Sequence, residues 1–169
     1  MDVDGLISSR WETSANPDEV HALLCACDSY TATPGTQAPL RNIETTKRHV
    51  SVGAVHVLRF RNEAVAMFTL TWEAPFSEDP PVFPPARKPL YISRLAVKPE
   101  WLAKGSLVGV QCLRRAVELA ESLGADVLRS EANPDLTRVR TLLQFLGFVE
   151  HAQKESADGR RSVYLQKTL

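Results

Sequence analysis

The chain lacks any apolar run near the roughly 20 residues that span a bilayer. Its first ten residues, Met1 to Arg10, begin acidic and lack the basic and apolar stretches of a secretory leader. Cysteine is scarce: Cys25, Cys27 and Cys112 make an odd count with no C-x-x-C or zinc-type spacing, which speaks against a disulfide framework and a thiolate metal site. His21, His49, His56 and His151 lie scattered, so no metal is expected. Neither sign of charge is in excess, with Lys plus Arg and Asp plus Glu at 20 each. A nucleic-acid binder normally shows a basic surplus, so nucleic acid is not an expected partner. There are no internal repeats or low-complexity tracts. These absences leave a reduced, cytoplasmic chain that neither spans nor binds a membrane, and 169 residues suit one domain over 1–169 with a real core.

What is present reads as alternating helices and strands. Asn16-Pro17-Asp18-Glu19 opens a helix with a capping Asn, a proline in the first turn and acids at the positive end of the dipole. Val20, Leu23 and Leu24 follow at helical spacing. Ser29 to Pro39 reads as a loop and Leu40 to His49 as a second short helix. Val55 to Arg61 and Ala64 to Trp72 form a hairpin turned at Arg61-Asn62-Glu63. Ala74 to Pro89 then holds six prolines, which excludes an interior helix or central strand and makes a long surface loop. Such loops are more often binding elements than decoration.

Leu90 to Val97 is the candidate central strand, ended by Lys98-Pro99-Glu100. A glycine-containing turn, Ala103 to Gly109, leads into a helix from about Leu107 to Leu123, with Val110, Leu113, Val117 and Ala120 on one stripe. Gly124 stops it. Val127 to Ala132 is another strand, and Asn133-Pro134-Asp135 caps a helix over Leu136 to Leu146, stopped by Gly147. Phe148 to Ser156 and Ser162 to Gln166 pair around the turn Ala157-Asp158-Gly159-Arg160. A strand that feeds a helix through a glycine turn, then another strand, is where phosphates are usually bound.

The segment Leu95-Ala96-Val97-Lys98-Pro99-Glu100-Trp101 through Gly109, with its following helix ending in Leu123-Gly124-Ala125, resembles the acyl-CoA-binding motif of the GNAT superfamily. The stretch from Asn133-Pro134 to Leu146-Gly147-Phe148-Val149-Glu150 resembles the family's second signature, and Tyr164 to Leu169 its last strand. The resemblance covers about residues 53 to 169. It implies an α/β (α+β) fold, a mixed and mostly antiparallel sheet of about six to seven strands flanked by about four helices. It also implies acetyl-CoA or coenzyme A as cofactor, and an N-acetyltransferase acting by direct attack on the primary amine of a small molecule, amino acid or peptide. The alternative is a non-catalytic acyl-CoA sensor.

Three departures from the family pattern stand out. Lys104 replaces the usual Arg or Gln, Leu107 replaces the first consensus glycine, and the segment from Pro99 to the helix is longer than usual. A pyrophosphate needs converging N–H donors, which an open helix N-terminus supplies. The candidates are Lys104, Gly105, Ser106, Leu107, Val108 and Gly109, with Ser106 read as a helix cap and phosphate ligand. By resemblance, the backbone of Leu95, Ala96 and Val97 holds the pantetheine arm. Asn133, Arg138 and Arg140 are candidates for the 3′-phosphate end, with an exposed helix face as the other reading.

Amine acetylation needs a base of suitably raised pKa. Glu73, ending a strand before the proline-rich loop, is the first candidate, and a solvated strand-end acid is the other reading. Ser93 and Arg94 are placed to hold a water or orient substrate. The tyrosine that many family members carry four residues before the Gly-Phe pair is Leu143 here, so Tyr164 is the substitute proton donor. Cys112 is assigned to the core. The insert Ala74 to Lys88 brings Phe76, Phe83, Glu78 and Asp79, with Trp72 just before it, a composition that suits a cationic amine with an apolar body. Its aromatics otherwise fill a homodimer interface.

Overall fold

A computed structural model describes residues 9–32, 38–76, 82–155 and 159–169. Among them lie β1 (Ser9–Thr13), α1 (Pro17–Thr31), α2 (Ile43–Ser51), β2 (Val55–Phe60), β3 (Glu63–Thr71) and β4 (Pro89–Val97). There follow α3 (Pro99–Ala103), α4 (Val108–Ser122), β5 (Val127–Ala132), α5 (Thr137–Phe145), β6 (Val149–Glu155) and β7 (Arg161–Thr168). The seven strands form one sheet in the order β1-β2-β3-β4-β5-β7-β6. β4 and β5 pair in parallel, while β1–β2, β2–β3, β5–β7 and β6–β7 are antiparallel. This is the mixed, mostly antiparallel architecture expected, with two elements the sequence pattern did not disclose, β1 and α3. The chain divides into two compact units, Met1–Thr69 with Arg94–Cys112, and Leu70–Ser93 with Leu113–Leu169.

In the first unit, the Asn16 side chain accepts the Glu19 N–H at 3.2 Å and Pro17 occupies the first turn, so α1 begins where its capping chemistry dictates. α2 starts later than expected because Asn42 caps it, accepting the Glu44 N–H at 2.9 Å. Val20, Leu23 and Leu24 of α1 pack with Val55 and Val57 of β2, Ala64 and Met67 of β3, and Ala96 of β4. Each fully buried aliphatic of this set contributes about 1.5–3 kcal/mol. The β2–β3 turn is the two-residue hairpin type, with Arg61 and Asn62 both at positive φ, 49° and 66°. β1 escaped the sequence pattern because Trp11 is its one large apolar residue; the strand is held by Trp11 against Phe68 and by Glu12 paired with Arg59.

In the second unit, β5 is buried through most of its length and β7 through its middle, and Leu113, Ala116 and Ala120 give α4 its buried stripe. Gly124, at φ 78°, ends α4 as expected. The exit of the proline-rich insert is clamped by Asp126, whose carboxylate accepts the N–H groups of Arg87 (2.7 Å) and Lys88 (3.0 Å). Burial works against that carboxylate's charge, but these backbone donors prevail and hold its pKa below the ordinary value. Glu78 and Asp79 of the insert, Ser156 at the expected end of β6, and Ala157 and Asp158 of the expected hairpin turn lie outside the described residues.

Candidate active site

The central strand is irregular where the sequence placed the cofactor. β4 pairs with β5 from Pro89↔Val127 to Ile92↔Ser130. Two residues on, Arg94 sits in the left-handed region at φ 52°, a conformation that costs a non-glycine residue on the order of 1 kcal/mol and re-aims the strand. Beyond it, the Lys98 N–H donates to Val65 O at 2.8 Å. Alternation then puts the N–H groups of Leu95 and Val97 on the opposite edge. Of the three residues assigned to the pantetheine arm, Leu95 and Val97 therefore carry the N–H groups that such an arm would use.

The extra length after Pro99 is the short helix α3. It closes with the Gly105 N–H on Leu102 O (3.1 Å) and the Ser106 N–H on Trp101 O (3.3 Å), with Gly105 at φ 65°, the paired bonds of a Schellman stop. α4 then begins at Val108, and its first internal bond runs from the Gln111 N–H to Leu107 O at 3.0 Å. The amides of Val108, Gly109 and Val110 precede that bond and have no acceptor inside the helix. The Leu107 side chain is 69% exposed, and a Cβ placed on Gly105 would meet nothing within 4 Å, so the leucine does not fill the loop. Lys104 is exposed, its Nζ 5.9 Å from the Trp101 ring.

Ser106 corrects an expectation. Its hydroxyl does not cap α4: Oγ is buried and has no hydrogen-bond partner among the described residues. The helix starts one residue too late for the serine to hold the capping position. An orphaned hydroxyl next in the chain to first-turn amides without an acceptor inside the helix suits an acceptor-rich group, and a diphosphate fits that description.

The remaining candidates belong to the second unit. Glu73 is exposed, and its backbone carbonyl accepts the Thr71 hydroxyl at 2.8 Å. Ser93 Oγ is buried without a partner among the described residues. Tyr164 is buried with its ring edge-on to Phe76 (5.3 Å) and Phe83 (5.9 Å). Phe76 also meets Tyr91 at 5.8 Å, so the insert's rings are packed internally. Leu143 is core at 2% exposure; Cys112, of the first unit, is fully buried, and burial pushes its thiol up to about 12. Asn133 accepts the Asp135 N–H at 2.9 Å but does not cap α5, which starts at Thr137 behind Leu136 with no side-chain cap. Arg140 is committed to Glu150 through two hydrogen bonds, one of them Nη2 to Oε2 at 2.8 Å, while Arg138 is exposed. The same contact holds the Glu150 carboxyl below its usual range.

A group the sequence did not bring together lies in the first unit. Arg94 Nη1 donates to Thr46 Oγ1 at 2.9 Å, and His21 Nδ1 lies 2.8 Å from that same oxygen. Thr46 is 1% exposed. Arg41 grips Asp28 bidentately at 2.7 and 3.2 Å. These residues come from α1, the segment before α2, α2 itself and β4, so no local spacing could have announced them. His49, on the last turn of α2, has its pKa lowered by burial and then by Arg94 and Arg48.

That lowered pKa has a definite sign in stability. The unfolded chain binds the His49 proton more readily than the fold does. The contribution is fully present above the unfolded value, about pH 6.5, and is lost as pH falls through the folded value. Between pH 7.5 and 5.5 the melting temperature of His49→Gln is expected to decline less steeply than that of the wild type. Parallel melting curves across that range would acquit His49.

No protein-family model and no curated protein matches the chain. Solved structures do match, and together with the seven-stranded sheet and the loop into α4 they define its class: the chain has the fold of the GNAT acetyltransferases. Ard1 of Thermoplasma volcanium aligns with TM-score 0.73 and 11% identity over 96% of this chain and 98% of its own. A subunit of the NatC complex bound to Gag peptide and CoA aligns with TM-score 0.71 and 12% identity, over 96% of this chain and 99% of its own. The ribosomal-protein-alanine N-acetyltransferase of Brucella melitensis aligns with TM-score 0.68 and 19% identity, over 95% and 99%. Among the described residues no helix is long and apolar enough to cross a membrane.

Proposed function

We propose that this chain is an acyl-CoA-dependent N-acetyltransferase that moves an acetyl group from acetyl-CoA to a primary amine of a small molecule, amino acid or peptide in a ternary complex. The observation that carries the reading is the start of α4, where unpaired amides, the orphaned Ser106 hydroxyl and an outward-turned Leu107 leave room and donors for a diphosphate. The names of the structural neighbours support it: one is solved with CoA, and another is a ribosomal-protein-alanine N-acetyltransferase. A cytoplasmic location is supported by three free cysteines without disulfide spacing. A homodimer built on Phe76 and Phe83 loses its support, because both rings pack on Tyr164.

Acetyl-CoA supplies an acyl carbon already activated for attack as a thioester. The chain's part is to hold and orient. Lys104 and the amides of Leu107, Val108 and Gly109 hold the diphosphate, since those of Gly105 and Ser106 are already bonded to Leu102 and Trp101. The N–H groups of Leu95 and Val97 hold the pantetheine arm, and Asn133 and Arg138 the 3′-phosphate end. Glu73 is the proposed base, taking the proton from the acceptor nitrogen. Ser93 Oγ orients a water, and Tyr164 Oη holds the proton that the departing sulfur requires. No acyl-enzyme is invoked, since Cys112 is a buried, protonated thiol. Positioning and backbone polarisation supply the rest of the rate.

The test combines a melting-temperature series with a transfer assay. Coenzyme A at about 100 times its Kd adds about 2.7 kcal/mol, a rise of about 5–10 °C for a chain of this size. Glu73→Gln is expected to keep that rise while turnover on the best amine falls by about 100-fold or more. Unchanged turnover would remove Glu73 from the chemistry, and no rise with coenzyme A would remove the whole reading. The second reading, a non-catalytic acyl-CoA sensor, is favoured by the buried Leu143 where a tyrosine is customary. It predicts the rise with no turnover on any amine.

A further inference from the structure

We propose that the acceptor is an amine that carries its own carboxylate, and that Arg94 receives that carboxylate; this rests on the acetyltransferase reading above. The guanidinium is half-buried and has one hydrogen-bond partner among the described residues, the neutral Thr46 hydroxyl. Thr46 is fixed in turn. Its oxygen accepts from Arg94 and is also hydrogen-bonded to His21 Nδ1 at 2.8 Å. Arg94 is thereby aimed by a buried relay that uses one of its five N–H groups.

The charges around it are unbalanced. Arg94, Arg41 and Arg48 are three cations against one carboxylate, Asp28, and Asp28 is already gripped by Arg41. Burial works against the charge of Arg94 first, then Arg41 and Arg48, with Asp28 opposing in part. A desolvated guanidinium among like charges is an expense the fold does not need for packing, since an apolar residue would fill the space. Its planar fork matches a carboxylate bidentately. Arg94 also holds the strained φ of 52° that re-aims β4, and it directly precedes Leu95, a residue assigned to the pantetheine arm. Strain and unmatched charge at one residue point to ligand contact. The preference expected from the sequence, a cationic amine facing Glu78 and Asp79, concerned residues outside those described. The described residues favour the opposite charge at the acceptor, a free amino acid or a similar small amino carboxylate.

The experiment uses N-acetylated amino acids and their C-terminal amides as product-side probes, titrated calorimetrically into the coenzyme A-saturated protein. In parallel, kcat/KM is measured with acetyl-CoA for the matching amino acids and amino amides. Acid is expected to exceed amide by about 30-fold in both, as a charge-assisted pair warrants. In Arg94→Gln the ratio falls to about 3-fold or less while coenzyme A affinity stays put. Arg48→Gln, an exposed change that leaves the fold alone, lowers the ratio by about 2-fold and decides the matter should Arg94→Gln melt early.

Equal binding of acid and amide by the wild type overturns the proposal. So does a ratio indifferent to both substitutions, or a loss at Arg94→Gln confined to coenzyme A, which would make the anion one of the cofactor's own phosphates. Acid-selective binding without transfer to any amine would keep the carboxylate receptor and discard the enzyme. Equal transfer to acids and amides would do the reverse.

Discussion

Ser106→Asp is expected to weaken coenzyme A binding by about 100-fold, about 2.7 kcal/mol, while the protein melts no lower than the wild type. The two effects separate because they act on different partners. A carboxylate at this position lies just before the first-turn amides of Val108 to Val110, where an acid is favoured by the dipole. It stabilises α4 by about 0.5–1 kcal/mol. The same charge opposes a diphosphate. A unit pair about 5 Å apart at an effective dielectric near 20 repels by about 3 kcal/mol, which sets the 100-fold. Ser106→Ala, which removes a hydroxyl without adding charge, loses only about 3–5-fold. Calorimetric titration with coenzyme A beside a thermal melt gives both readings. Undiminished affinity in Ser106→Asp would mean that phosphates bind elsewhere.

Arg129→Met is expected to destabilise the fold by about 3–5 kcal/mol, lowering the melting temperature by roughly 10 °C or more. Arg129 is 8% exposed and forms no ion pair among the described residues. Its charge is met by neutral acceptors, the Gln166 amide oxygen, the Tyr91 hydroxyl and the Pro84 carbonyl, each at 2.9 Å. The Phe83 ring lies 4.6 Å from the guanidinium carbon and adds a cation–π contact. Methionine fills the volume but strands these buried acceptors. Lysine does not rescue, since one ammonium cannot reach three acceptors set out for a planar fork. A urea titration measures the loss, and a change under 1 kcal/mol would show that solvent reaches the acceptors after all. Because Pro84 belongs to the insert, faster proteolysis of that segment should accompany the destabilisation.

How much of this was readable from residue order depends on the range of the interaction. The caps at Asn16 and the stop at Gly124 act within one helical turn, and both fall where the sequence placed them. The loop between β4 and α4 was legible as a loop because its residues are contiguous from Leu95 to Gly109. α3 was missed because a helix of one turn has no period to detect, although the unusual length after Pro99 was its trace. β1 was missed because its burial depends on a partner strand more than 40 residues away, as Trp11↔Leu58 shows. The same limit hid the Arg94 constellation. Thr46, His21, Arg41 and Asp28 approach one another only through tertiary packing, and a threonine in mid-helix gives no sign of the arginine that will reach it. Arg140 shows the converse: its position suggested a phosphate ligand, and a nearby glutamate claimed it.

β6 is the last strand in the order of the sheet and, among the described residues, pairs on one side only, with β7. Its outer row of amides and carbonyls is the kind of open border on which stray chains of β structure grow. His151, Gln153, Lys154 and Glu155 are exposed along it, and a newcomer must strip water from these charged and polar groups before any ladder can form. A strand with no buried residue of its own thus carries, in its exposed side chains, the kind of deterrent that discourages pairing between the edges of two sheets.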